Sequence, residues 1–254
     1  MINQLNAIAW DEEVRRNNYW TRIVGKEEIE RARKGDVRIR ITPTRYVPPS
    51  WLEGMKGKKV LLLASAGGQQ TALLAAYGCT VTSIDISALQ IEQDRKALKM
   101  YGLEAETVVS DMRDLSSYSG SSFSAVIIPH SLNFIEETES LYAEAARVLE
   151  KDGAFLFGVA NPVLYLFDEK KEEKGKLKVK YTIPFSDEKS KSEKEKMKMI
   201  RKKDTFEYSH TLSSLLSPLF RHFILKDFYS DESGNKTVDS FIHDSFLAFR
   251  FIRA

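Results

Sequence analysis

Lys59-Val60-Leu61-Leu62-Leu63-Ala64-Ser65-Ala66-Gly67-Gly68-Gln69-Gln70 passes abruptly from one chemistry to another. Val60 to Ala64 is an unbroken apolar run, the pattern of a central parallel strand buried on both faces, where polar alternation is not needed. Small residues and two glycines follow at once, a composition that lets the chain turn tightly and enter a helix. Strand, turn and helix in that order open a βαβ unit.

Downstream the alternation repeats. Thr80 to Ile84 precedes a helix over Ser87 to Tyr101, then come Glu106 to Val109, Phe123 to Pro129 with a helix over Glu137 to Glu150, and Ala154 to Val159. This order predicts an α/β fold with a doubly wound parallel sheet. Ser87 is placed as an N-cap with Gln90 three residues on, a capping-box pattern, and Gly102 stands where a C-cap glycine belongs. After Asn161-Pro162 the alternation stops. Residues 169 to 204 hold fourteen Lys/Arg against eight Asp/Glu around a strand-like alternation at Leu177, Val179, Tyr181 and Ile183. We read residues 161–209 as an insertion over the carboxyl edge of the sheet, with Lys189 to Lys203 either a solvated helix or a loop. Residues 210–254 return to the core with a helix over His210 to Arg221 and two β-rich segments, Phe223 to Tyr229 and Phe246 to Ile252, which make a terminal antiparallel pair.

Upstream, residues 6 to 34 carry apolar positions at helical spacing among charges, and imply one or two amphipathic helices ending near Gly35. Val37, Ile39 and Ile41 alternate before Pro43, Pro48 and Pro49, as in an extended crossing segment. Residues 1–50 are thus a leader, and 51–160 the core.

Composition narrows the function. The 254 residues carry a net charge of +2 with 43% hydrophobic and 29% charged residues, which exerts no global attraction on nucleic acid. The one cysteine, Cys79, cannot form an internal disulfide, and the amino terminus lacks the regions of a signal peptide, so a cytoplasmic location is expected. No apolar run reaches the roughly 18 residues of a membrane span. The four histidines (130, 210, 222, 243) lack metal-ligand spacing, and no Gly-x-Ser-x-Gly elbow occurs, so neither a metal nor a covalent intermediate is expected.

Ligands of open α/β sheets bind beyond the carboxyl ends of the strands, and the first turn supplies backbone groups and a helix N-terminus suited to an anion. Asp85, seventeen residues after Gly68, closes the second strand, where a carboxylate accepts both hydroxyls of a ribose. Asp111 follows the third strand, placed to accept the exocyclic amine of adenine, with Met112 lining the ring pocket. Asp85 would serve a nicotinamide dinucleotide equally well, so an NAD(P)-dependent oxidoreductase is one alternative. A non-catalytic protein that keeps the nucleotide pocket is another.

The order of these features resembles the class I S-adenosylmethionine-dependent methyltransferases, of the type 11-like kind, over roughly residues 55 to 160. Their usual loop is an acid followed by Gly-x-Gly-x-Gly. Here Leu62 takes the acidic position, Ala64 and Ala66 take two glycine positions, and Gly68 matches. A subgroup with the loop Leu-Ala-Ser-Gly-Gly-Gly-Gln-Gln and an Asp-x-Ser (Asp85-Ile86-Ser87) is more similar, as are its Asn-x-x-Tyr-Trp leader (Asn17 to Trp20) and its Asn-Pro after the fifth strand. The resemblance implies a Rossmann-like seven-stranded sheet, mostly parallel with a C-terminal antiparallel strand, and S-adenosyl-L-methionine as cofactor. Ala64, Ser65, Ala66, Gly67, Gly68 and Gln69 would hold the methionine moiety, Asp85 and Ile86 the ribose side, Asp111 and Met112 the adenine. His130 and Ser131 would flank the sulfonium, and Trp20 on the leader would either lid the cofactor or pack on the sheet.

Such an enzyme aligns the acceptor and removes a proton when needed. His130 is the leading candidate base, with His210 and Tyr208 in reserve, and Asn133, Asn161 and Tyr165 are candidates to face the acceptor. Asn161-Pro162-Val163-Leu164-Tyr165 is similar to the Asn/Asp-Pro-Pro-Tyr/Phe motif of enzymes that methylate nucleic-acid amines, but it lacks the second proline and follows the fifth strand rather than the fourth. A small-molecule acceptor is therefore expected, with nucleic acid disfavoured and the oligomeric state open.

Overall fold

A computed structural model describes residues 1–64 and 67–254. Ser65 and Ala66, both expected at the cofactor loop, lie outside the described residues. Among those residues, seven strands form one sheet: β1 (Lys59–Leu63), β2 (Thr80–Asp85), β3 (Glu106–Val109), β4 (Phe123–Ile128), β5 (Leu149–Ala160), β6 (Phe223–Asp231) and β7 (Phe246–Arg253). Their order is β3-β2-β1-β4-β5-β7-β6. The first five run parallel, and β7 lies antiparallel between β5 and β6.

The apolar run of β1 explains its central place. Val60 to Leu63 are all fully buried, with Val60 and Leu62 in one core layer and Leu61 and Leu63 in the other. Strand order reverses between β1 and β4, and that reversal opens a crevice at their carboxyl ends. One face is covered by α2 (Lys26–Arg33) and α3 (Gln70–Tyr77), together with the crossing segment, whose Val37, Ile39 and Ile41 are buried in the main core. On the other face, under α5 (Glu139–Val148), aromatic side chains dominate. The Phe155 and Phe157 rings lie 5.3 Å apart, among Tyr142, Phe249 and Phe251; full burial of each such ring stabilises by about 1.5–3 kcal/mol.

The leader forms α1 (Ile2–Arg15), a short 3-10 turn at Tyr19–Thr21 capped by Asn18, and α2, closing at Gly35. α4 (Ala88–Tyr101) starts at Ser87 and stops at Gly102 in the left-handed region, as its caps predict. Half of the expected capping box is missing, however. Ser87 Oγ accepts from the Gln90 N–H (3.1 Å), but the Ser87 N–H donates to Asp85 (2.8 Å) instead of to Gln90. Asp11 of α1 accepts from Ser87 Oγ (2.6 Å) and from the Leu89 N–H (3.1 Å), which puts a carboxylate at the positive end of α4. Gln90 is thereby released to turn elsewhere.

The insertion departs from its pattern. The alternation at Leu177 to Ile183 makes no strand, only a single bridge from Val179 to Phe167, because no continuous partner runs alongside. The charged stretch forms α6 (Glu193–Lys202), started by a Ser192–Glu195 capping box, with Met199 buried. A further helix, α7 (Leu212–Leu216), precedes β6. No helix among the described residues is long and apolar enough to cross a membrane.

Candidate active site

A cavity of about 410 Å³ lies at the strand tips. Its floor comes from Ala64 after β1, Asp85 and Ile86 at β2, Asp111 and Met112 after β3, and His130, Ser131 and Asn133 after β4. α1 covers it with Asn3, Asn6 and Trp10, the crossing segment contributes Arg40 to Pro43, and the insertion contributes Lys203 to Thr205 and Glu207. A chamber of this size, with apolar walls and many polar side chains at its edge, suits a cofactor-sized ligand.

Four buried polar atoms of residues that line this cavity have no partner among the described residues: Arg40 Nε, Gln90 Oε1, His130 Nδ1 and Asn133 Oδ1. Buried polar groups are ordinarily satisfied, so their convergence marks a place where a ligand completes the hydrogen bonding. Arg40 stacks over Tyr46 at 4.0 Å and its Nη1 donates to the Tyr19 hydroxyl (3.2 Å), with no carboxylate among the described residues paired to it. Its carbonyl accepts from Gln70 Nε2 (2.7 Å), which ties it to the start of α3.

The loop after β1 behaves differently from the expectation at several positions. Ala64 lines the cavity in a left-handed conformation (φ 55°), a strained state for a residue with a Cβ. Gly67, Gly68 and Gln69 do not line the cavity. The Gly68 N–H donates to Asp94 (2.5 Å), its carbonyl accepts from Val24 (3.0 Å), and Gln69 Nε2 donates to the Tyr19 carbonyl (3.0 Å). They hold the turn against α4 and the leader, while Gln70 and Gln90 reach the cavity. Gly68 has φ +93°, and a Cβ there would meet Gln93 O and Ile23 Cγ1 at 3.1 Å.

Asp111 lines the cavity but is already engaged. Oδ1 accepts from the Arg113 N–H and Nε (both 3.0 Å), and Oδ2 from Arg113 Nη2 and Asn3 Nδ2 (both 2.6 Å). Burial opposes its charge, yet the Arg113 bonds prevail and hold the carboxyl below its ordinary value.

The His130 ring lies edge-on to Phe246 (4.7 Å between centroids), and the backbone N–H of His130 donates to the Ile41 carbonyl (3.1 Å). Burial lowers its pKa from 6.5 to about 4. Burial keeps the ring neutral at neutral pH and makes it a weak base, poorly suited to the proton removal expected of it. His210 and Tyr208 do not line this cavity; His210 Nε2 stands 3.2 Å from the Leu132 carbonyl. Because the unfolded imidazole binds its proton near 6.5 and the folded one near 4, the stability His130 contributes is complete above pH 6.5 and lost as pH falls toward 4. That loss is about 3 kcal/mol. Urea denaturation at pH 7 and 4.5 should show wild type losing about that much more than a His130→Asn variant; equal losses contradict the buried neutral ring.

Trp20 lines the cavity and is 36% exposed. Asn161 is not at the cavity: it caps the following 3-10 turn through Val163 N (3.1 Å) and donates to the Asp244 carbonyl (2.9 Å). Tyr165 does not line it either, but its hydroxyl donates to Glu207 Oε2 (2.7 Å), and Glu207 does. Arg40, Gln90 and Glu207 were not singled out in the sequence. Arg40 is a polar position in an alternating segment and Gln90 passes for a cap, while Glu207 follows a lysine-rich stretch with no motif around it.

Residues 61–157 match a methyltransferase domain family. The chain is 39% identical over 239 residues to the uncharacterized methyltransferase YbaJ of Bacillus subtilis, covering 94% of this chain and 93% of that protein. It is 27% identical over 115 residues to a ubiquinone biosynthesis O-methyltransferase of Actinobacillus pleuropneumoniae, 44% of this chain and 49% of that one. Among solved structures, the PH0226 protein of Pyrococcus horikoshii is similar in fold (TM-score 0.61, 20% identity, 96% of this chain and 99% of that chain). So is an S-adenosylmethionine-dependent methyltransferase of Mesorhizobium loti (TM-score 0.59, 16% identity, 80% and 94%). The oxidoreductase and non-catalytic alternatives give way to this agreement of sequence and fold. The sheet order, the cavity at its reversal and the full-length similarity to YbaJ together make this chain a member of the class I S-adenosylmethionine-dependent methyltransferases.

Proposed function

We propose that the chain methylates a small-molecule acceptor inside the roofed cavity, with S-adenosylmethionine laid across the tips of β3, β2 and β1. When bound, that group supplies a methyl carbon made electrophilic by its sulfonium. The observation that carries this reading is the convergence of four unpartnered buried polar atoms on one chamber that also holds Asp85 and Asp111.

Asp85 is the ribose residue: it closes β2, is buried, and one of its oxygens is fixed by the Ser87 N–H. Asn3 Nδ2 on Asp111 Oδ2 supports an adenine amine at that oxygen, since the amide occupies the place such a donor would take. Met112 then lines the ring. Arg40, near Ala64 and the start of α3, faces the anionic methionine end, and His130 and Ser131 flank the sulfur as a neutral wall. The cover formed by α1 excludes water, which favours a compact acceptor over a polymer.

Asp85→Asn tests the placement. Loss of a charge-assisted bond to a ligand hydroxyl is about 1.5–3 kcal/mol, so calorimetric affinity for S-adenosylhomocysteine should fall by roughly 10- to 150-fold. Unchanged affinity in the variant would remove Asp85 from the site.

A further inference from the structure

The segment Thr205–Tyr208 is clamped at three consecutive residues. Asn6 of α1 donates to the Phe206 carbonyl (3.0 Å) and accepts from its N–H (2.7 Å). Asp187 accepts from the Glu207 N–H (2.9 Å) and donates its own N–H to the Glu207 carbonyl (3.0 Å). The Tyr208 N–H donates to the Asn133 carbonyl (2.7 Å). A backbone held at three consecutive residues presents Glu207 to the cavity with little freedom, and such positioning is what proton transfer requires.

The Glu207 carboxylate accepts from the Tyr165 hydroxyl (2.7 Å), from the Asn133 amide, and from Thr205 Oγ1 (3.4 Å). Asn133 Oδ1, on the same wall, is buried with no partner among the described residues. A carboxylate beside an unpaired amide oxygen offers two acceptors to a ligand group that carries a proton. We infer that Glu207 is the base of the methyl transfer, held by Tyr165 and Asn133, and that the acceptor is a small molecule presenting a hydroxyl or amine to it. As the acceptor heteroatom forms its bond to the methyl carbon, the carbon–sulfur bond breaks with its electron pair passing to sulfur. The heteroatom's proton passes to a Glu207 oxygen, and water later takes it from the neutral acid.

The surroundings agree with that role. Burial raises the affinity of Glu207 for a proton and the charges of Asp187 and Glu169 add to it, against the opposing bonds from Tyr165 and Asn133. Lys191 is committed to Asp187 (2.9 Å) and Glu169 (3.0 Å). Glu13 of α1, Lys203 and Asp204 share the cavity wall, and His130 is neutral. A carboxyl raised toward neutrality is a stronger base than an ordinary one.

This inference rests on the cofactor placement proposed above, and the experiment separates the two. Protein labelled with [13Cδ]glutamate is titrated by NMR, free and with S-adenosylhomocysteine, and Glu207→Gln assigns the resonance. Glu207 should titrate above the exposed glutamates, and Tyr165→Phe should raise it further, because the lost bond favours the charged form. Titration among the exposed glutamates overturns the inference with no acceptor needed. Tritiated S-adenosylmethionine is then offered with phenol, catechol and primary-amine probes. Turnover of any probe should fall about 100-fold or more in Glu207→Gln and lose its acidic limb, with S-adenosylhomocysteine affinity kept; equal turnover overturns the inference. A wild-type protein that does not bind S-adenosylhomocysteine sinks the cofactor placement instead, and the titration of the free protein still reads Glu207.

Discussion

Asp94→Ala is expected to destabilise the protein by about 3–5 kcal/mol and to weaken cofactor binding at the same time. Asp94 lies on α4, fully buried, and accepts from the Gly68 N–H (2.5 Å), Thr71 Oγ1 (2.6 Å) and Ser83 Oγ (2.8 Å). These donors belong to the turn after β1, to α3 and to β2, so one carboxylate ties three elements together behind the residues that line the cavity. Alanine strands all three donors in a region that water does not reach. Calorimetric melting should show a fall on the order of 10 °C. S-adenosylhomocysteine affinity measured well below that transition should drop because Gly68 is no longer held. Asp94→Asn, with the same shape and one acceptor oxygen, should lie between the two; a wild-type melting point in Asp94→Ala would contradict the network.

Gly158→Ala should cost about 3 kcal/mol, at the upper end of overpacking effects. A Cβ at Gly158 of β5 would stand 1.7 Å from the Ile41 carbonyl oxygen and 2.6 Å from its carbon, so backbone must move. That same oxygen accepts from His130 N–H, and the adjoining residues Arg40 to Pro43 line the cavity. The variant therefore shifts a wall of the site, and both melting temperature and S-adenosylhomocysteine affinity should fall. Gly175→Ala is the control. Its Cβ meets nothing nearer than 3.8 Å, and φ +73° alone costs about 1 kcal/mol. Equal, small effects at the two glycines would show that the crossing segment is free to give way.

Much of the fold was legible because it depends on local signals. Residues 60 to 63 had to be a buried strand, Ser87 and Gly102 bracket a helix, and the segments Phe223 to Tyr229 and Phe246 to Ile252 pair as antiparallel strands. The candidate site was legible in part. Asp85, Asp111, Met112, His130, Ser131 and Asn133 line the cavity because strand ends, which are visible in sequence, converge there. Asn161, placed at the acceptor by proximity to the fifth strand, instead caps a turn, and Gly67 to Gln69 face α4 and the leader rather than the cavity.

The sequence by itself determined the alternation, the strand ends and the kind of ligand they suit, since each follows from residues close together along the chain. Only the tertiary structure decided which side chains meet. Asp11 reaches Ser87 across 76 positions and frees Gln90, Asn3 reaches Asp111 across 108, and Asn6 reaches Phe206 across 200. Charge state followed from the same encounters. Burial, not spacing, made His130 a neutral wall, and it raised the proton affinity of a glutamate that no local pattern distinguishes from its solvated neighbours.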